Sequence, residues 1–305
     1  MQNDISGVLV VDKPAGISSA KVVARVKKLL KAKKVGHTGT LDPFATGVMV
    51  CCINRATRLA GFFLRGNKKY EASLHLGIET DTQDSTGKTT RRCNQVEFSE
   101  KTIKSVFKRY EGTLTQLPPV YSALKYKGIP LYKLARSNKP VQKPARKVSI
   151  IDLKILEIHL PTIRFEVLCS AGTYIRTLCA DIGASLGCGG HLKDLRRIES
   201  SGFTIKEAIT IEELKDLTLS NKIYNRIISM SNALKDFPCH TADNILTHKI
   251  KHGFILSKND IKFEPANVSE GFMKIVDTEK QLIAVLKYAK NRSKYDYCCV
   301  FNHCR

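Results

Sequence analysis

The 305 residues carry 50 Lys+Arg against 28 Asp+Glu, a formal charge of +22, with 43% apolar and 26% charged residues. That length allows a catalytic body plus a smaller second unit, and no stretch approaches the roughly 18 uncharged apolar residues of a membrane span, so a membrane role is excluded and a soluble chain is expected. The charge matches the signature of a polyanion binder with nucleic acid as the leading partner, although lysines scattered without a patch would give the same sum.

The N-terminal Met1 to Ile5 lacks the basic segment and apolar core of a secretory leader, which predicts a cytoplasmic protein. Val8 to Val11 reads as a strand ended by Asp12-Lys13-Pro14-Ala15-Gly16. Ser18 or Ser19 then caps a helix with Ala20, Val23, Val26 and Leu30 on its apolar face and lysines and Arg25 elsewhere. Alternation predicts strands over 70–78, 149–156 and 163–168, with Pro161 breaking the chain before the last. Helical spacing is expected over 101–110, 131–137 and 174–186. Irregular alternation of strands and helices gives an α+β fold with a mixed, largely antiparallel central sheet, not a doubly wound parallel one. The glycines form neither a dinucleotide fingerprint nor a P-loop, so no nucleotide cofactor is expected. After Pro238 short strands set in, with 272–276 and 282–286 as a hairpin about Asp277-Thr278-Glu279-Lys280. This divides the chain into a catalytic unit, 1–237, and a small β-rich unit, 238–305.

Ten cysteines lie scattered without C-x-x-C pairs, so reduced core thiols are expected. Cys298, Cys299, His303 and Cys304 crowd the C-terminus but match no ligand spacing, so no metal is assigned.

The segment that stands apart is Gly36-His37-Thr38-Gly39-Thr40-Leu41-Asp42-Pro43-Phe44-Ala45-Thr46-Gly47. Glycines permit close backbone approach, and Pro43 restricts Asp42 to extended or turn geometry, so one carboxylate is held on a stiff loop. An Asp that merely closes its own turn would look alike in composition.

This segment resembles the catalytic loop of the TruB family of tRNA pseudouridine synthases. Further motifs of the family follow in order: Asp12-Lys13-Pro14-Ala15-Gly16, Lys69-Tyr70, Pro118 to Lys125, Gly172-Thr173-Tyr174-Ile175-Arg176 and Leu195-Arg196-Arg197, so the likeness runs from Gly7 to Gly202. The resemblance implies isomerisation of the T-loop uridine at tRNA position 55 to pseudouridine, with no cofactor. Asp42 would be the covalent catalyst, through C1′ of the ribose or C6 of the uracil. Arg176 would pair with it, Tyr70 would stack on the extruded base, Tyr174 would take the C5 proton and Leu195 would pack from the other side. His37 would touch the RNA near the flipped nucleotide, Lys13 would support the aspartate loop as part of the substrate-binding set, and Lys125 would contact the substrate or buttress the site. The C-terminal unit resembles a PUA-like barrel that grips tRNA, and a monomer needing no protein partner is expected. Two rivals share the motifs: a guide-RNA-dependent synthase, and a tRNA-folding chaperone that needs no chemistry.

Overall fold

The computed structural model describes residues 5–257, 259–261, 271–289 and 294–301. In chain order, β1 (Gly7–Lys13) and α1 (Ser19–Leu29) lead to β2 (Val35–His37) and β3 (Thr46–Ile53). The short α2 (Ala60–Leu64) precedes β4 (Lys68–Leu76) and a hairpin of β5 (Ile78–Thr80) and β6 (Thr89–Arg92). Next come α3 (Glu100–Lys108), β7 (Gly112–Gln116), a small hairpin of β8 (Lys125–Tyr126) and β9 (Ile129–Pro130), α4 (Leu131–Arg136), β10 (Arg146–His159) and β11 (Thr162–Cys169). Then follow α5 (Ile175–Ser185), β12 (Gly190–Ser200), β13 (Phe203–Thr204), α6 (Ile211–Leu219) and α7 (Met230–Ala233).

The main sheet has the order β1-β3-β12-β4-β11-β10-β7, with β2 on β3 and β13 on β12. Its pairs are antiparallel except β12 with β3, which run parallel at Arg197 and Gly47. The expected α+β architecture with a mixed, largely antiparallel sheet is therefore what forms. Gly47 is required at that crossing: its φ is +104°, and a Cβ there would stand 2.2 Å from the Arg197 carbonyl oxygen.

β1 and β3 read as unbroken apolar runs because both their faces are covered. Leu9, Val11, Met49, Cys51 and Ile53 pack against Val22 and Val26 of α1 and Leu214 of α6. Val8, Val10, Val48, Val50 and Cys52 pack with Phe203 and with Leu282, Val285, Cys299 and Phe301 of the C-terminal unit. β4 and β11 alternate instead, burying Tyr70, Ala72, Leu74, Phe165 and Val167 against α3 and α5. Ser18 caps α1, its side chain accepting from the Lys21 amide. The buried face of α1, however, is Ser19, Val22 and Val26, continued by Leu30 beyond the helix, while Ala20 is exposed. The stripe is rotated from the expected one because Ser19 turns inward to bond the aspartate loop.

The C-terminal sheet contains β14 (Cys239–Thr241), β15 (Leu256–Ser257), β16 (Phe272–Val276), β17 (Leu282–Ala289) and β18 (Lys294–Val300) in the order β14-β16-β17-β18-β15. The expected hairpin is β16–β17, closed by Asp277, whose carboxylate accepts from the Glu279 and Gln281 amides. The short-strand reading missed α8 (Asn244–Lys251), which Asp243 caps through the Leu246 amide. Cys298 is exposed and Cys299 buried, while His303 and Cys304 lie outside the described residues. No helix among the described residues is long and apolar enough to cross a membrane.

Candidate active site

The aspartate loop joins β2 to β3 and is fixed from several sides. The Ser19 hydroxyl both accepts from the Leu41 amide and donates to its carbonyl, each at 2.9 Å. The Lys13 ammonium donates to the carbonyls of Pro14 (2.9 Å), Pro43 (3.1 Å) and Ala45 (2.5 Å). Arg197 reaches from β12, Nε to the Val48 carbonyl at 2.7 Å and Nη2 to the Gly39 carbonyl at 3.0 Å. Lys13 is fully buried, and its pKa is pushed down to about 8 by burial.

This clamp holds Asp42 at the edge of a cavity of about 380 Å³. Its side chain is 35% exposed and meets Arg176 Nε at 3.0 Å, whereas the Arg176 side chain is 5% exposed. The guanidinium is held at its other two nitrogens as well: Nη1 donates to the Thr82 carbonyl at 3.0 Å and Nη2 to the Tyr121 carbonyl at 2.9 Å. Nη1 also lies 3.4 Å from Asp84 Oδ2. Arg176 thus bridges two carboxylates of which only Asp42 opens to the cavity. Burial pushes the Asp42 carboxyl above the ordinary range; Arg176 and Lys13 oppose that rise, and Asp84 adds to it.

Tyr70 on β4 and Leu195 on β12 line the same cavity. Tyr70 is almost buried and its hydroxyl pairs with the Arg197 guanidinium; burial pushes the phenol up. Tyr174, just before α5, also lines the cavity, and its backbone is pinned by Gln116, which accepts from its amide at 3.0 Å and donates to its carbonyl at 3.2 Å. The Arg146 guanidinium sits over the Tyr174 ring, 4.6 Å from its centre.

The fold therefore brings together Asp42, Tyr70, Tyr174, Arg176 and Leu195. Lys13 stands behind the loop, with its head on three carbonyls, and outside the cavity wall. His37, whose Nδ1 accepts from the Gly39 amide at 3.3 Å, is half-buried beside the loop and does not line the cavity. Lys125 is exposed on the β8–β9 hairpin, one residue beyond the lining residue Leu124. Sequence reasoning missed Asp84, Arg146 and Lys68, and it placed Arg197 within a motif without giving it a role. Asp84 left only a turn signal, since its Oδ1 accepts from Thr82, Thr86 and the Thr86 amide.

A carboxylate on a rigid loop, an ion-paired buried arginine, two tyrosines and an apolar wall thus share one cavity, a combination chemically capable of nucleophilic attack beside a stacked planar ring. The family model "TruB family pseudouridylate synthase (N terminal domain)" matches residues 27–175, and that of the "tRNA pseudouridylate synthase B C-terminal domain" matches residues 176–235. The tRNA pseudouridine synthase B of Francisella tularensis subsp. tularensis is 40% identical over 291 residues, covering 95% of this chain and 93% of the relative. That of Syntrophotalea carbinolica is 44% identical over 234 residues, 77% of this chain and 76% of its own. Among solved structures, a Cbf5-Nop10-Gar1 complex matches with TM-score 0.72 at 29% identity, over 92% of this chain and 78% of that one. The archaeal box H/ACA sRNP Nop10-Cbf5 complex matches with TM-score 0.73 at 28% identity, over 96% and 85%. Identity at that level along nearly the whole length, with the aspartate loop inside the first matched segment, means that this chain belongs to the TruB family of pseudouridylate synthases.

Proposed function

We propose that this chain converts the T-loop uridine at position 55 of tRNA to pseudouridine, with Asp42 as covalent catalyst. The observation that carries the reading is the Asp42–Arg176 contact at 3.0 Å, with the carboxylate open to the cavity and the guanidinium nearly buried beside it. In this reading the target uridine leaves its stack, Tyr70 and Leu195 take the base from two sides, and Asp42 forms the adduct at C1′ or C6. The N1–C1′ bond breaks and N1 gains a proton, while a C5–C1′ bond forms and C5 loses one, for which Tyr174 is the candidate acceptor. Arg176 orients the carboxylate and favours its ionised form through a charge-assisted contact. Lys13 acts through the loop it clamps, and His37 and Lys125 meet RNA outside the cavity.

Residues 1–237 are read as the catalytic unit and 238–305 as a PUA-like RNA-binding unit, supported by the separate sheet that starts at Cys239. A monomer belongs to the same reading, and the cytoplasm is where its tRNA substrate would be met. The guide-dependent alternative is disfavoured because identity to the relatives named tRNA pseudouridine synthase B is 40–44%, against 27–29% for the Cbf5 and H/ACA structures. The test is tritium release from an unmodified tRNA transcript labelled at C5 of uridine, beside Asp42→Asn. Release by wild type alone supports the reading; a folded, tRNA-binding wild type without release favours the chaperone or the guide-dependent enzyme.

A further inference from the structure

One cavity-lining residue has no place in the chemistry above. Leu64, the last residue of α2, is 47% exposed, although it lines the same cavity as Asp42 and Tyr70. Its backbone is held from below by Lys68, which lies two residues before Tyr70 on the same face of β4 and is 6% exposed. No carboxylate pairs with Lys68 among the described residues; its ammonium donates to the carbonyls of Leu64 at 2.8 Å and Gly66 at 2.5 Å. These carbonyls at and just beyond the end of α2 would otherwise lack partners. The stem of Lys68 lies against the aspartate loop, where a Cβ built at Gly39 would meet its Cε at 3.9 Å. Lys68 therefore ties the end of α2 to β4, with its stem passing near the aspartate loop.

Tyr70, 9% exposed, lies deeper in the cavity than Leu64. An extruded uracil would reach Tyr70, whereas Leu64 would meet the part of the RNA that stays outside. Extrusion leaves the neighbouring nucleotide with one bare face, and an apolar side chain placed there replaces part of the lost stacking. We propose that Leu64, positioned by Lys68, forms a rim that seats the nucleotide next to the extruded uridine. This deepens the reading given under Proposed function and rests on it.

The test compares wild type, Leu64→Ala, Lys68→Met and the double variant, measuring turnover of an unmodified T-arm hairpin RNA and its affinity by fluorescence titration. Leu64→Ala, an exposed and mild change, is expected to raise KM and Kd about fivefold to tenfold, with kcat within about twofold. Lys68→Met is expected to do the same, and the double variant to be no worse than about twofold beyond either single one, because Lys68 acts through Leu64. A merely structural Lys68 would instead lower kcat and thermal stability and add its effect to that of Leu64→Ala; that result overturns the proposal. So does an unchanged KM and Kd for Leu64→Ala in an enzyme that turns over, which leaves the synthase reading intact. If wild type binds the hairpin without turnover and Leu64→Ala weakens binding, the rim stands and the reaction assignment fails; if wild type neither binds nor turns over, both fail.

Discussion

Replacing Asp84 by Asn tests whether the charge behind Arg176 tunes the catalytic carboxylate. Asp84 Oδ2 stands 3.4 Å from Arg176 Nη1, and both side chains are 5% exposed. The change deletes one charge and keeps the shape, and an Asn Oδ1 still accepts from Thr82 and Thr86. Arg176 also keeps Asp42, the Thr82 carbonyl and the Tyr121 carbonyl. A hydrogen bond to a charged group contributes about 1.5–3 kcal/mol, and 3.4 Å is long for one, so the expected loss is about 1.5 kcal/mol. At about 2–4 °C per kcal/mol for a chain of this size class, Tm should fall by about 3–6 °C. Asp84 is one of the influences that raise the Asp42 carboxyl, so its removal lowers that pKa and the acid limb of kcat/KM should move to lower pH. With Arg176 still oriented, kcat at neutral pH should fall no more than about tenfold, a change of about 1.4 kcal/mol in barrier. The assay is tritium release against pH, beside a thermal melt. An acid limb that stays put or moves upward refutes the electrostatic reasoning; a loss as complete as that of Asp42→Asn, with Tm unchanged, would put Asp84 in the chemistry itself.

Other outcomes follow from the same geometry. The folded-state pKa of Asp42 is raised, so its ionised form costs stability at neutral pH and that cost vanishes as pH falls through the folded pKa. Asp42→Asn should therefore melt at or above the wild-type temperature at pH 7, with the gap closing toward acid, while turnover disappears. The Lys13 ammonium, with a pKa of about 8, loses one of its three donors on deprotonation, so kcat should decline as pH rises through about 8. Lys13→Met should have low kcat throughout and lack that limb, as a pH series of single-turnover rates would reveal. Tyr174→Phe keeps the ring under Arg146 and the backbone bonds to Gln116, so hairpin affinity should hold while the rate falls by about 10²–10⁴, the range for a lost proton acceptor.

How much of this was legible in the sequence depended on whether each residue's partners lie nearby in the chain. The aspartate loop announced itself through glycines and Pro43, and the strand β1 through its apolar run ended by Pro14 and Gly16. Arg176 is 134 positions from Asp42, so periodicity could not join them, and only the family resemblance did. Asp84 was hidden because its two oxygens serve different ends. One closes a turn with Thr82 and Thr86, the use that its neighbours predict, while the other reaches Arg176. The inward face of α1 was misjudged because Ser19 is polar yet buried, bonding Leu41 across the fold. Helix α8 had a cap in Asp243 and apolar residues at Leu246 and Ile250, but the surrounding strand signals outweighed so short a pattern.

Lys68 and Arg197 were illegible for a more general reason, which also bears on how the site handles RNA. Both are nearly or fully buried cations, like Lys13, and all three are satisfied chiefly by backbone carbonyls, with a tyrosine hydroxyl added at Arg197. No acidic residue nearby in sequence flags a buried cation that bonds to carbonyls, because its partners are the chain itself. Carbonyl dipoles offset the cost of burial without cancelling the charge. The cavity wall consequently sets Arg146, Arg176 and Arg197 against a single carboxylate, Asp42, while Lys68 keeps its ammonium turned onto the end of α2. Burial is the largest influence on Lys13, Lys68, His37 and Tyr70; the Arg197 charge adds to the fall of the three basic groups and opposes the rise of the phenol. An RNA backbone entering this site meets a fixed positive field, which favours close approach of phosphate without a mobile side chain having to reorganise. Asp42 is thereby placed as the one negative group in a positive cavity, where burial opposes its ionisation and the cation it touches offsets that cost in part. That balance bears on why the loop is clamped so heavily: a small displacement of Asp42 from Arg176 would leave the burial cost less opposed and push the carboxyl further up.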